Sequence, residues 1–316
     1  MIAECYRLTN DPKNAETWYR LAVRSSYSKP DAQFWLAESM KKNGKYQQAI
    51  EEYKKYKQVA PSDSRADQEI RSCELALEWQ RNPDPYRVEE LKDLNSVDSD
   101  FSPAYGRDDF GVIYFTSSRD DAAGNKTHGA TGQSFTDIFE SRLDKKSKWS
   151  TPVPVEGLNT ESEEGTPCFS ADYSEIYFTR CEAGKREKKG CAIMYSERNG
   201  DKWSNPVDLK LVPDSLVAAH PSLSPDGQTL YFVSDMPGGY GLKDIYMVTR
   251  AERGNSWSTP RNLGPEINTP GNELFPFIRQ DGSLYFSSDG QIGMGGLDIF
   301  RAVRQPDGSW VVRNMR

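Results

Sequence analysis

Two histidines and five cysteines are all that 316 residues contain of those types, and no long apolar run is present. Each scarcity excludes something. Only His128 and His220 offer an imidazole base, and neither stands beside a Gly-x-Ser-x-Gly elbow or at zinc-ligand spacing. The cysteines (Cys5, Cys73, Cys168, Cys181, Cys191) are too few for a disulfide scaffold and contain no Cys-x-x-Cys, which argues against structural zinc. No stretch reaches the roughly 18 apolar residues of a membrane span, and the first residues lack the charged-then-apolar pattern of a signal peptide. Positive charge is also short. Forty Lys and Arg against 47 Asp and Glu, net −7, leave no basic field to draw in nucleic acid or an anionic membrane surface. No cofactor and no metal are expected, and other proteins are the expected partners.

What is present is repetition. Trp149, Trp203, Trp257 and Trp310 fall 54, 54 and 53 residues apart, and the first three open the same Trp-Ser-x-Pro phrase, ending at Pro152, Pro206 and Pro260. Tyr114, Tyr177, Tyr231 and Tyr285 each precede a Phe on the same beat. Aligned, the copies give a first strand containing Pro, a Tyr-Phe strand, an Asp-Ile-Phe-like strand and a Trp-Ser-x-Pro strand. Four strands per unit at this period describe a β-propeller blade. Asp137, Asp244 and Asp298 recur in the third strand, either as hydrogen-bonding residues that fix a loop or the neighbouring blade or as cation ligands, and Ala192 replaces them in the second blade. Gly238-Gly239-Tyr240-Gly241 and Gly293-Met294-Gly295-Gly296 precede strands, so they are turns and not phosphate loops. Either the ring closes at four blades or more blades follow Arg316; the second is favoured.

Residues 1–80 read as helices with a 34-residue repeat: Ala15 and Ala49, Tyr19 and Tyr53. The run Phe34-Trp35-Leu36-Ala37, Gly44-Lys45-Tyr46, Ala49, Tyr53 and Pro61 resembles the tetratricopeptide repeat, with Tyr56 where the family keeps a small residue. The resemblance implies a concave face that holds a peptide or partner helix. Residues 67–79 suit a capping helix, and a half-repeat missing before Met1 points to a longer parent chain. Asn82-Pro83-Asp84-Pro85 ends the helical pattern, because two prolines cannot both be helix-internal. The expected fold class is α+β multidomain: TPR-like helical repeats over 1–82, then a β-propeller over 83–316 with at least four blades of four-stranded antiparallel sheet.

Candidate binding residues follow from the alignment. Asp100, Glu164 and Glu273 stand three residues before the first-strand proline, Ala218 replacing them in the remaining blade. First strands line a propeller's channel, so these acids form either an acidic collar for a metal or a partner's Lys or Arg, or solvated loop acids. His220 precedes a repeat proline, where the other blades carry Ser102, Thr166 and Phe275. His128 lies in a polar insertion over 120–133. Cys181 and Cys191 flank the loop of one hairpin and form a disulfide if the compartment oxidises, or remain two free thiols.

The order of helical repeats followed by Ser224-Pro225-Asp226-Gly227, Trp257-Ser-x-Pro260, Tyr285-Phe286-Ser287-Ser288-Asp289 and Gly295-Gly296-Leu297-Asp298-Ile299-Phe300 resembles the PD40-type, WD40-like propellers of Bacteroidota envelope proteins, in particular the PorE-type family associated with type IX secretion. The likeness implies a periplasmic, outer-membrane-associated protein. It implies a non-enzymatic protein-interaction scaffold, docking on secretion-system components, with peptides in the helical groove. The alternative is a propeller hydrolase or glycan-binding protein that uses loop carboxylates such as Glu163, Glu164 and Glu273.

Overall fold

A computed structural model of the chain describes residues 1–25, 29–122, 127, 132, 134–182 and 190–316. Contacts divide it into two compact units. One is Met1–Arg87 with Ser288–Phe300 and Arg313–Arg316; the other is Val88–Ser287 with Arg301–Val312.

The first unit holds five helices, α1 (Ile2–Leu8), α2 (Pro12–Arg24), α3 (Asp31–Lys42), α4 (Tyr46–Val59) and α5 (Arg65–Arg81), each packed on the next. The start of α2 is fixed locally: Asp11 accepts the Asn14 N–H at 3.0 Å and Pro12 begins the helix. Gly44 turns the chain between α3 and α4 with φ of 72°, a value that costs a residue without a side chain little. Ala37 and Ala49 are fully buried, which lets α3 and α4 close on each other. Phe34 meets Tyr53 and Tyr56 edge-on or tilted, with centroids 5.6 and 5.3 Å away. Tyr56, the departure from the repeat pattern, keeps its hydroxyl satisfied by donating to Asp63 at 2.6 Å.

The same unit contains the stretch 288–300. Ser72 Oγ donates to Gly293 O at 2.5 Å and accepts the Gly293 N–H at 3.2 Å, while Gln68 donates to Gly290 O. Met294 packs against the helical core.

Four antiparallel sheets make a four-bladed β-propeller. Blade one is β1 (Asp100–Tyr105), β2 (Val112–Ser117), β3 (Asp137–Arg142) and β4 (Val153–Pro154). Blade two is β5 (Glu163–Phe169), β6 (Glu175–Cys181), β7 (Cys191–Asn199) and β8 (Lys202–Trp203), with β9 (Val207–Asp208) also on β7. Blade three is β10 (Ala219–Leu223), β11 (Thr229–Ser234), β12 (Asp244–Thr249) and β13 (Arg261–Asn262). Blade four is β14 (Glu273–Ile278), β15 (Leu284–Ser288), β16 (Asp298–Arg304) and β17 (Trp310–Asn314). The Tyr-Phe strands are the most buried, as expected of second strands covered on both faces.

In blades one and three the outer strand begins just beyond the Trp-Ser-x-Pro phrase, not on it, and in blade two β9 does the same. The phrase is a strand stop: Ser150, Ser204 and Ser258 accept the backbone N–H of Arg142, Glu197 and Thr249 at 3.0–3.1 Å. The indoles are half-buried alike, and arginines stack on three of them, Arg198 on Trp203, Arg250 on Trp257 and Arg304 on Trp310.

Three of the innermost strands, β1, β5 and β10, are bulged at their proline. Register shifts between Phe101 and Ala104, Gly165 and Cys168, and Ala219 and Ser222. The residue before each proline, Ser102, Thr166, His220 or Phe275, has φ of 50–54°, a left-handed value that disfavours side chains. The bulge turns its N–H toward the neighbouring blade. Thr166 donates to Thr116 Oγ1 at 2.7 Å and His220 to Thr179 Oγ1 at 2.8 Å. Repeated strain is thus matched by repeated blade-to-blade hydrogen bonds.

Candidate functional site

The three recurrent acids are held inside. Glu164 and Glu273 are 1% and 0% exposed, and each accepts the N–H and hydroxyl of the threonine four residues earlier, Thr160 and Thr269. Asp100 does the same with Ser96 and also accepts from Ser117 Oγ. An arginine completes two of the networks: Arg119 reaches Asp100 at 2.7 Å and Leu94 O, and Arg180 reaches Glu164 at 2.6 Å and Leu158 O. Burial pushes the Asp100 pKa upward, but hydrogen bonds from Ser117, Ser96 and Arg119 outweigh it and hold the carboxyl below its usual range. The sequence locates these residues; their serine, threonine and arginine partners were not foreseen.

A second recurrent device ties blades one and three to the blade that follows. Asn159 Oδ1 accepts the Ile138 N–H and its Nδ2 donates to Ile138 O, both at 2.9 Å. Asn268 grips Ile245 the same way, at 2.8 and 3.0 Å. The asparagine eight residues before the proline is therefore a two-point clasp on the third strand of the preceding blade. The third-strand aspartates hold the glycine-rich loops: Asp244 accepts the N–H groups of Tyr240 and Gly241, and Asp298 those of Met294 and Gly295. Gly239 and Gly293 sit so close to these carboxylates that a Cβ would collide.

At the junction of blades two and three all three of these positions depart together. Where Asn159 and Asn268 clasp an isoleucine, the connection into blade three carries Pro213; where the acid belongs, it carries Ala218; where the third-strand aspartate belongs, β7 carries Ala192. A cleft of about 290 Å³ lies here. Its apolar floor includes Ile193, Met194 and Val212, and its rim Arg180, Glu182, Asp208, Lys210 and Asp214. Lys210 bridges Asp208 and Asp214, both at 2.9 Å, and these two carboxylates raise its pKa. Ile193 is 1% exposed; its C=O accepts Leu209 N–H at 3.0 Å, but no group among the described residues takes the asparagine's place at its N–H. Ser234 Oγ, buried, has no hydrogen-bond partner either; its counterpart Ser117 donates to Asp100, and Ala218 removes that acceptor from blade three.

The remaining sequence candidates lie elsewhere. His220 belongs to the inner wall: its Nδ1 accepts the Phe275 N–H at 3.2 Å, and desolvation, with Lys243 adding, pushes its pKa down to about 3. It is a neutral acceptor. His128 lies outside the described residues. Cys181 and Cys191 are joined in a disulfide between paired positions of β6 and β7, and Cys191 lines the cleft. The signal for the cleft was present as the Ala192 and Ala218 exceptions, but their convergence required coordinates.

No family model matches the chain, and no curated protein matches its sequence. Solved propellers do resemble it. A puromycin-hydrolysing peptidase of Mycobacterium tuberculosis is 17% identical over 73% of this chain and 34% of that one, TM-score 0.43. A putative TolB of Agrobacterium tumefaciens is 15% identical over 66% and 62%, TM-score 0.42. An α-L-arabinofuranosidase of Lactobacillus brevis is 16% identical over 67% and 74%, TM-score 0.44. The chain thus spans about a third of the peptidase's length. Most of these neighbours are propeller hydrolases, the alternative reading of the sequence, and the expectations of a secretion scaffold and of a non-enzyme are corrected accordingly. At such identities the likeness is one of fold and brings no activity to this chain.

Proposed function

We propose that the protein is a propeller of the glycan-binding or glycan-hydrolysing class and that the cleft beside β7 holds the saccharide. One observation carries this reading: three repeat positions change together at the junction of blades two and three, and the result is a cleft with an apolar floor beneath a rim of acids and bases. A sugar ring has an apolar face and an edge of hydroxyls that both donate and accept, which such a lining suits. Hydrolysis, where it accompanies binding, is assigned to the rim acids Asp208 and Asp214, because they line the cleft and Glu164 and Glu273 do not. The disulfide beside the cleft favours an oxidising compartment such as the periplasm. The helices are read as TPR-like, on the packing of each against the next and their buried small residues.

Titration calorimetry with arabino-, xylo-, manno- and gluco-oligosaccharides tests the reading. Binding by the wild-type chain that disappears when Met194→Trp fills the floor supports it; no heat with any saccharide removes it. Release of reducing ends, lost in Asp208→Asn, separates a hydrolase from a binding protein.

A further inference from the structure

The cleft contains an unusual vacancy in the hydrogen-bond pattern. In blades one and three the carboxamides of Asn159 and Asn268 place an acceptor against an isoleucine N–H and a donor against the same residue's C=O. Each of those C=O groups serves two donors at once, Ile138 O taking Val155 N–H as well as Asn159, and Ile245 O taking Leu263 N–H as well as Asn268. In blade two Leu209 N–H reaches Ile193 O in the same manner, and the second lone pair and the Ile193 N–H are left to the cleft. A buried N–H without a partner is costly, so a fold that repeats the clasp twice and omits it beside a cleft leaves a recognition edge.

From this edge we infer that the ligand is gripped through two neighbouring hydroxyls that replace the missing carboxamide, one accepting from Ile193 N–H and the other donating to Ile193 O. The inference rests on the saccharide reading above and narrows it to sugars with an unsubstituted vicinal diol. Two hydroxyls on adjacent ring carbons present an acceptor and a donor side by side, as a primary carboxamide does. The acetamido group of an N-acetylated sugar does not, since its single N–H points away from its carbonyl. The rim then serves the rest of the ring: Asp208 and Asp214 accept from further hydroxyls and Lys210 donates.

The test is to return the asparagine. Pro213→Asn supplies the carboxamide in cis, and Pro213→Ala removes the proline without supplying it. Binding of a neutral oligosaccharide is expected to fall about tenfold or more in Pro213→Asn and to stay within about twofold in Pro213→Ala, the loss matching two hydrogen bonds. The oligosaccharide is also expected to slow hydrogen exchange at the Ile193 amide of the wild-type chain, a readout that stands if Pro213→Asn fails to fold. Equal affinity in wild type and a folded Pro213→Asn, or an Ile193 amide unaffected by bound saccharide, overturns the diol clasp and leaves the saccharide reading intact. No saccharide binding, with capture instead of a glutamine-bearing peptide that Pro213→Asn abolishes, overturns both.

Discussion

The imidazole of His220 lies flat on the ring of Phe275, centroids 4.1 Å apart and planes 6° apart, while its Nδ1 takes the Phe275 N–H. The pair replaces a threonine. Where Thr116 and Thr179 offer hydroxyls to the next blade's bulge, the equivalent residue of β11 is Val233, and the acceptor comes from His220 instead.

His220→Ala is therefore expected to destabilise the chain by about 1–3 kcal/mol, the cost of orphaning a buried N–H. Adding Val233→Thr to His220→Ala should recover a good part of that loss. Denaturant midpoints of the single and double variants measure it, and simple additivity of the two changes would show that the hydroxyl cannot stand in.

The same histidine predicts a pH dependence. Its folded pKa of about 3 lies below the unfolded value of 6.5, so the unfolded chain binds the extra proton. Its contribution is full above pH 6.5 and is lost as the pH falls toward 3, at a slope near 1.4 kcal/mol per pH unit. Stability of His220→Gln against pH should be flatter across that window.

Glu164→Ala should act on stability, not on turnover. It leaves the Arg180 guanidinium, 16% exposed, without its carboxylate. A loss of about 3–5 kcal/mol is expected from such an uncompensated charge. Thermal unfolding reads it; a variant that unfolds like wild type but loses hydrolysis would return Glu164 to the catalytic candidates.

Opening the Cys181–Cys191 disulfide, by reduction or Cys181→Ser, is expected to lower stability by about 2–3 kcal/mol for a loop of this size. Because Cys191 lines the cleft, saccharide affinity should fall as well. Unchanged affinity in the reduced protein would detach the disulfide from the site.

Gly239→Ala should cost about 1–3 kcal/mol, since the new methyl runs into Asp244, which the loop wraps. Circular dichroism melting measures it, and Gly238, with open space around it but a φ of 88°, offers a milder comparison.

The blades were readable because their marks are local: a proline at each bulge, a Tyr-Phe strand, a serine stop after three of the four repeat tryptophans. Leu158-Asn159 and Ile267-Asn268 each stand at a fixed distance before a first-strand proline, a spacing that carries no chemistry by itself. Their meaning, a clasp on Ile138 and Ile245, depends on residues 21 and 23 positions away. The acids misled for a related reason. Glu164 and Glu273 sit on the innermost strands, but their side chains turn back to Thr160 and Thr269, a choice set by hydroxyls four residues upstream. The cleft arises from three absences, at Ala192, Pro213 and Ala218, which periodicity registers separately and only folding superimposes.

Ser72 and Met294 are separated by more than two hundred positions, yet they belong to one compact body, the glycine-rich turn lodged among the helices. Evolution cannot trade the two stretches freely. A helical array borrowed from another protein arrives without a hydroxyl for Gly293, and a propeller borrowed alone carries the Met294 thioether into water.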